Sequence, residues 1–233
     1  MRLFAIADLH LPGGANKPMD VFGKHWEGHF EKICDSWREN VSGEDIVLLP
    51  GDLSWAMQLE EAMGDLARIG TLPGRKVLLR GNHDYWWGSI GKLRERLPGG
   101  MYAIQNDAVA LDGLTVAGSR GWTHPDGSDQ EDKKIYDREL IRLKMSLDRA
   151  AALGGRLVVM THYPPLDENH RDTPVSDLIR QYRPTDVIYG HLHGASLKSA
   201  FNGRRDGIRY HCVSCDGLGF RIREIPAPDT DGL

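Results

Sequence analysis

Short apolar runs alternate with helix-period segments along the first half of the chain. Residues 3–7, 46–49 and 77–79 are β-like aliphatic runs, and each gives way to polar or glycine-containing residues. Residues 21–40 read as one helix, with Val21, Phe22, Trp26, Phe30, Ile33 and Trp37 near one face. Residues 59–69 and 90–97 fit two further helices. Repetition of strand, loop and helix implies parallel strands joined by helical crossovers.

The second half opens with strand candidates at 101–104, 108–111 and 114–117, the last two joined by the hairpin signal Asp112-Gly113. Residues 133–153 form a long helical pattern that roughly aligns Ile135, Leu140, Leu143, Leu147 and Ala151. Runs at 157–160 and 187–189 are buried strands by composition. Runs at 195–201 and 208–213 flank Asn202-Gly203, which reads as another turn, and 220–225 closes the pattern. From Pro226 the chain is rich in Pro, Asp and Gly and is expected to fray. The expectation is one α/β domain over 1–225, built from two halves, and a tail over 226–233.

Composition changes this picture little. The 233 residues are 40% hydrophobic and 27% charged, ordinary values for a globular chain. The formal net charge of -4 argues against a dedicated nucleic-acid binder. The apolar run at the N-terminus is short and interrupted by Asp8, and no stretch reaches the length of a membrane span. A cytoplasmic protein with no membrane partner is expected. The three cysteines, Cys34, Cys212 and Cys215, agree with a reducing compartment. Cys212 and Cys215 form a C-x-x-C, but a structural zinc site wants four ligands, so packing at a strand end is the preferred reading.

Five segments carry metal-ligand side chains just after expected strands. They are Asp8-Leu9-His10, Gly51-Asp52, Gly81-Asn82-His83-Asp84, Thr161-His162 and Gly190-His191-Leu192-His193. Parallel strands deliver such loops to one edge of a sheet, where α/β sites form. Carboxylate and amide oxygens with imidazole nitrogens suit Mn²⁺, Zn²⁺ or iron. Each segment alone is weak; together and in order they are specific.

The set D-x-H, G-D, G-N-H-[DE], H and G-H-x-H resembles the calcineurin-like metallophosphoesterases, and all five blocks are present between Asp8 and His193. The resemblance implies a two-sheet β-sandwich flanked by helices, in four layers. It implies that Asp8, His10 and His193 bind one divalent ion, that Asn82, His162 and His191 bind a second, and that Asp52 bridges them. It also implies that His83 is the catalytic histidine above the substrate phosphate, with Asp84 accepting its other ring N–H. Two divalent ions, Mn²⁺ first and iron or Zn²⁺ as alternatives, would clamp the attacking and leaving oxygens of an in-line displacement and acidify the attacking water. Imidazole titrates near neutrality, which suits His83 to protonating the leaving oxygen.

The remaining polar and aromatic signals are weaker. His25 and His29 have helical ligand spacing but no third ligand, and read as a solvated face. His124 and His170 fall in loops near the expected site, and His211 in a hairpin strand. Trp55, Trp86, Trp87 and Trp122 follow strands at the catalytic edge, either as loop packing or as a rim that stacks on a base or aryl group. Arg120 is placed either to contact phosphate or to pair with a carboxylate. Arg204 and Arg205, with Lys198 and Arg209, read as a solvated turn, and 126–134 as a solvated charged stretch. The expected substrate is a small phosphate mono- or diester, aryl or nucleotide esters being candidates. A nuclease acting on DNA or RNA and a non-catalytic scaffold of the same fold are the alternatives.

Overall fold

A strand with aliphatic side chains on both faces needs cover on both, and that requirement sets the layers of this fold. The computed structural model describes residues 1–14, 19–125 and 130–228. The first half runs β1 (Leu3–Ala5), α1 (His29–Asn40), β2 (Ile46–Leu49), α2 (Leu59–Gly70), β3 (Arg75–Leu78), α3 (Ile90–Arg96) and β4 (Met101–Ala103). The second runs β5 (Ala108–Leu111), β6 (Leu114–Ser119), α4 (Gln130–Leu153), β7 (Arg156–Thr161), α5 (Pro174–Gln181), β8 (Asp186–Tyr189), β9 (Gly203–Arg205) and β10 (Ile208–Cys212), and β11 (Arg223–Ile225) follows. The sheets have the orders β11-β1-β2-β3-β4 and β5-β6-β7-β8-β10-β9. The second sheet has an antiparallel strand at each edge, β5 on β6 and β9 on β10; the first has one, β11 on β1, and ends on its other side in β4, parallel to β3. This is the expected α/β sandwich.

Alternate residues of β1 show how the layers close. Leu3 and Ala5, with Ala7 beyond, pack between the sheets with Ile46, Val77, Val116, Met160 and Ile188. Phe4 and Ile6 face the other way, onto Ile33 and Trp37 of α1 and Leu66 of α2. On the far side, Leu143 and Leu147 of α4 and Ile179 of α5 cover Val159 and Val187. The sheets meet at one edge, where Ala7 bridges Ser214. Ala7 N donates to Val213 O at 2.8 Å, and Cys215 N to Ala7 O at 3.1 Å.

Several expectations are corrected. The helix expected over 21–40 begins only at His29. Gly23 and Gly28, at φ 129° and 60°, break the run, and Met19–Phe22 and Lys24–Trp26 form 3₁₀ turns that leave Val21 and Phe22 exposed. Helix α5 was not anticipated, although Thr173-Pro174 announces it. Thr173 caps its start by accepting from Val175 N and Ser176 N, with Pro174 in the first turn. The hairpin closes at Asp206-Gly207, not Asn202-Gly203. Both turn residues have positive φ, 51° and 80°, as a tight primed turn requires, and Arg205 pairs with Ile208. Residues 194–199 form a 3₁₀ helix, and Arg204 and Arg205 lie in an edge strand. The expected frayed tail starts under restraint: Arg156 and Arg209 donate to Pro226 O, and Arg209 to Ala227 O. Residues 229–233, and 126–129 of the expected solvated stretch, lie outside the described residues. No helix among the described residues is long and apolar enough to cross a membrane.

Candidate metal centre

Asp8, His10, Asp52 and His191 all adopt positive φ, at 62°, 45°, 54° and 72°. Non-glycine residues enter this region rarely, at a cost of about 1–3 kcal/mol each unless their surroundings fix them. Here hydrogen bonds from their amides fix them: Asp8 N to Gly51 O at 3.0 Å, His10 N to Asp52 O at 3.0 Å, Asp52 N to Asp84 Oδ2 at 2.9 Å, and His191 N to Asp8 Oδ2 at 3.1 Å. The turn after each strand thus directs its side chain back over the sheet edge.

The side chains converge. Donor atoms of Asp8, His10 and His193 lie within 4.8 Å of one another, as do those of Asp8, Asp52 and His162. Asn82 Oδ1 is 2.7 Å from His162 Nε2 and 3.0 Å from His191 Nδ1, and those two nitrogens are 3.3 Å apart. Asp52 Oδ2 is 3.4 Å from His162 Nε2 and 3.9 Å from His10 Nε2. All seven expected ligands therefore meet, with Asp52 reaching histidines of both expected sets.

The donor chemistry fits divalent cations. His162 Nδ1 lies 2.9 Å from Pro50 O; a carbonyl only accepts, so that nitrogen carries a proton and Nε2 faces the Asn82 oxygen. Three donor atoms so close call for a cation or a shared proton among them. His10 Nδ1 and His193 Nε2 are buried without a hydrogen-bond partner. Burial pulls the His162 imidazolium down, yet Asp52 and Asp8 overcome it and push its pKa up to about 9. His193, also pulled down by burial, is pushed up to about 10 by Asp216 and Asp8. Burial holds His10 and His191 near 4, in the neutral form that ligates metal.

Asp84 acts otherwise than expected. Its carboxylate accepts from Asp52 N, Leu53 N, Gly81 N and Trp86 Nε1 at 2.8–3.0 Å, and from Ser54 N at 3.2 Å. None of these donors is the His83 ring, whose Nδ1 is buried without a partner. Five N–H groups saturate the carboxylate, so it clamps the loops after β2 and β3 together. Burial, and then Asp52, push the Asp84 carboxyl up to about 6. The backbone amide of His83 donates to Asp52 Oδ1 at 2.8 Å.

The aromatic residues divide. Trp86 and Trp87 are each only 2% exposed and spend their N–H groups on Asp84 and Gln105, so they are packing and form no rim. Trp55 stacks on His10 with ring centres 4.8 Å apart and lies 4.5 Å from His83. Half-buried Trp122 donates to Asp132 Oδ1 at 3.0 Å and lines a cavity of about 770 Å³ that opens beside His191. Arg120 turns away from the ligands toward Glu139. His29 is half-buried, not part of a solvated face; its Nε2 donates to Leu9 O at 2.8 Å, supporting the backbone between Asp8 and His10. His124 lines the cavity, His170 Nε2 lies 3.1 Å from Ser199 O, and His211 Nε2 is 3.0 Å from Asp186 Oδ1. Cys212 and Cys215 are buried free thiols, and Cys215 donates to Asp8 O.

Sequence reasoning missed Asp216. It lies just past the C-x-x-C and accepts from His193 Nδ1 and Gly194 N, both at 2.9 Å. The available signal was an acidic residue after a strand ending at the catalytic edge.

A family model for calcineurin-like phosphoesterases matches residues 1–195. The Gene 66 protein of Mycobacterium phage D29 is 27% identical over 205 residues, spanning 85% of this chain and 82% of that protein. The phosphopantetheinyl hydrolase of Mycobacterium tuberculosis has a similar fold, with a TM-score of 0.52 at 16% identity over 100% of this chain and 98% of that one. A protein of unknown function from Aquifex aeolicus aligns over 96% of this chain and 95% of its own, with a TM-score of 0.49 and 16% identity. With the family match covering most of its length, the chain belongs to the calcineurin-like phosphoesterases and is a phosphoric ester hydrolase.

Proposed function

We propose that this protein hydrolyses a small phosphate mono- or diester at a centre of two divalent cations, Mn²⁺ first, with iron or Zn²⁺ as alternatives. Asp8, His10, Asp52, Asn82, His162, His191 and His193 would hold them. The observation that carries this reading is the approach of Asn82 Oδ1, His162 Nε2 and His191 Nδ1 to within 3.3 Å of one another beside the Asp8 and Asp52 carboxylates. Bound there, the cations supply positive charge to phosphoryl oxygens and acidify water. His83 delivers a proton to the leaving oxygen. Its ring packs 4.5 Å from Trp55 and 5.8 Å from His10, and its amide is tied to Asp52. Asp84 keeps the His83 loop in register with Asp52.

The cavity of about 770 Å³ at His191 supports a small substrate, being in the range of small-molecule pockets. Trp122 and Tyr163 offer aromatic walls to an aryl or nucleoside leaving group, while Asp167 and Glu168 disfavour further phosphates in that direction. This charge, with the net -4 of the chain, weighs against a nuclease. The three buried free thiols support a cytoplasmic setting.

The test is a series of aryl mono- and diesters of graded leaving-group pKa, assayed with protein stripped by chelator and then reloaded with Mn²⁺. Activity should vanish on stripping and return on reloading. In loaded His83→Ala, kcat should fall about 10²–10⁴-fold, least for the most acidic leaving groups. Undiminished activity in metal-free protein would overturn the metal centre. An equal loss across the series would reassign His83 from proton transfer to phosphate binding.

A further inference from the structure

Away from the proposed ligands, two arginines flank one buried carboxylate. Glu139 on α4 is 2% exposed; Arg142 donates to it at 2.6 Å and Arg120 stands 3.5 Å away. Arg80 lies just past β3. Nε of Arg80 and Nε of Arg120 are both buried without a hydrogen-bond partner. Guanidinium groups do not shed their protons, so this charge must be balanced by a neighbour.

Beside the cluster is a cavity of about 580 Å³, lined by Arg120, Trp122, Lys134, Arg138, Glu139 and Arg142, with Glu131 at its wall. Four basic side chains against two acidic ones leave an excess of two positive charges, in a chain whose net charge is -4. The Arg120 guanidinium lies 4.7 Å over the Trp122 ring, which holds its planar donors in one orientation. Trp122 also lines the cavity at His191, so the two cavities share that ring as a common wall.

We propose that the arginine-lined cavity is an oxyanion site for a phosphate group, carried either on the far end of the substrate or as free inorganic phosphate. Bidentate contact from a preset guanidinium and counter-charge for the surplus arginines are what a phosphate supplies. The linked-substrate form rests on the hydrolysis proposed above; the site itself does not.

Two measurements on the metal-loaded protein decide it. The first compares phosphate monoesters of alkanediols, short to long, whose far end carries either a hydroxyl or a second phosphate. The second is equilibrium dialysis with labelled inorganic phosphate. Arg138→Ala is the safe variant, since Arg138 is exposed and unpaired among the described residues; Arg142→Gln is the stronger one. Substrate-borne phosphate predicts a KM roughly tenfold lower for the bisphosphate at some chain length, a gain lost in both variants, with kcat for the hydroxyl-ended esters unchanged. It also predicts two bound phosphates per chain, falling to one in Arg142→Gln. Two bound phosphates with no gain at any length would make free phosphate the occupant. One bound phosphate in the unmodified protein, with equal KM for both ends, overturns the proposal. If no ester is hydrolysed at all, the metal-centre reading fails and dialysis alone decides the cavity.

Discussion

His193 is held between two carboxylates, with Nε2 3.4 Å from Asp8 Oδ1 and Nδ1 2.9 Å from Asp216 Oδ1. A carboxylate behind a ligating imidazole fixes its tautomer and orientation and raises its basicity. Asp216 is in turn fixed by Gly194 N at 2.9 Å, so the ring cannot swing without breaking two contacts. Asp216→Asn keeps the shape and removes the charge. It should weaken binding of divalent metal by about 10–100-fold with little change in thermal stability of the metal-free protein. Competition with a chromophoric chelator measures this. Unchanged affinity would reduce Asp216 to a loop anchor.

At the scale of the elements, the loops after β2 and β3 meet through glycines. A Cβ on Gly81 would lie 2.8 Å from Asp52 Cγ and closer still to Asp52 Oδ1 and N. A Cβ on Gly51, at φ 98°, would lie 2.6 Å from Gly81 Cα and 2.7 Å from His162 Nδ1. The backbones touch so that Asp52 can reach His10 on one sheet and His162 on the other, and Asp84 can collect amides from both loops. Gly81→Ala should therefore displace Asp52, lower metal content and cost about 1–3 kcal/mol, the usual penalty of overpacking. Gly64→Ala on α2 is the control, because its Cβ would meet nothing within 4 Å. That change should stabilise by about 0.5–1 kcal/mol and leave metal content alone. Elemental analysis and thermal melts of the pair decide the point; normal metal occupancy in Gly81→Ala would refute it.

Across the whole molecule, the edge opposite the candidate metal centre is held by Asp186 at the start of β8. It is fully buried and accepts from Arg209 Nε at 2.7 Å, Arg156 Nη2 at 2.8 Å, Thr185 Oγ1 at 2.7 Å and His211 Nε2 at 3.0 Å. The same arginines donate to Pro226 O, just past β11 of the other sheet. Asp186 thus anchors the arginines that tie the sheets at their far edge. Burial alone would push its carboxyl up, but bonds from His211, Arg209, Arg156 and Thr185 hold it well below the usual carboxylate range. A depressed folded pKa means stability that is complete above about pH 4, the unfolded value, and lost as pH falls through the lower folded value. Asp186→Ala should cost about 3 kcal/mol, because it leaves buried cations uncompensated, while kcat of the metal-loaded enzyme stays within about twofold, since additivity holds for distant sites. The gap in melting temperature from the unmodified protein should narrow below about pH 4. A pH-independent gap would assign the loss to packing.

What the sequence determined by itself was local. Apolar runs such as 46–49 and 157–160 became strands because aliphatic residues buried on both faces have few other places to go. The residues proposed as ligands could be picked out because each closely follows such a strand; parallel pairing carries them to one end of each sheet, and the packing of the two sheets brings the two sets together. The fold class followed from the same alternation. What only the tertiary structure decided was which group each polar atom meets. Asp84 is 32 residues from the amide of Asp52 and Asp216 is 23 from His193, and no spacing rule ranks those partners above the adjacent His83 or the nearby cysteines. Trp86 and Trp122 read alike in sequence, yet one lies in the core and the other lines a cavity, since loop closure sets the direction of each ring. Asn202-Gly203 and Asp206-Gly207 are equally good turns locally. Register against β8 selects the second, because it lets Arg209, Tyr210, His211 and Cys212 pair with Asp186 through Tyr189.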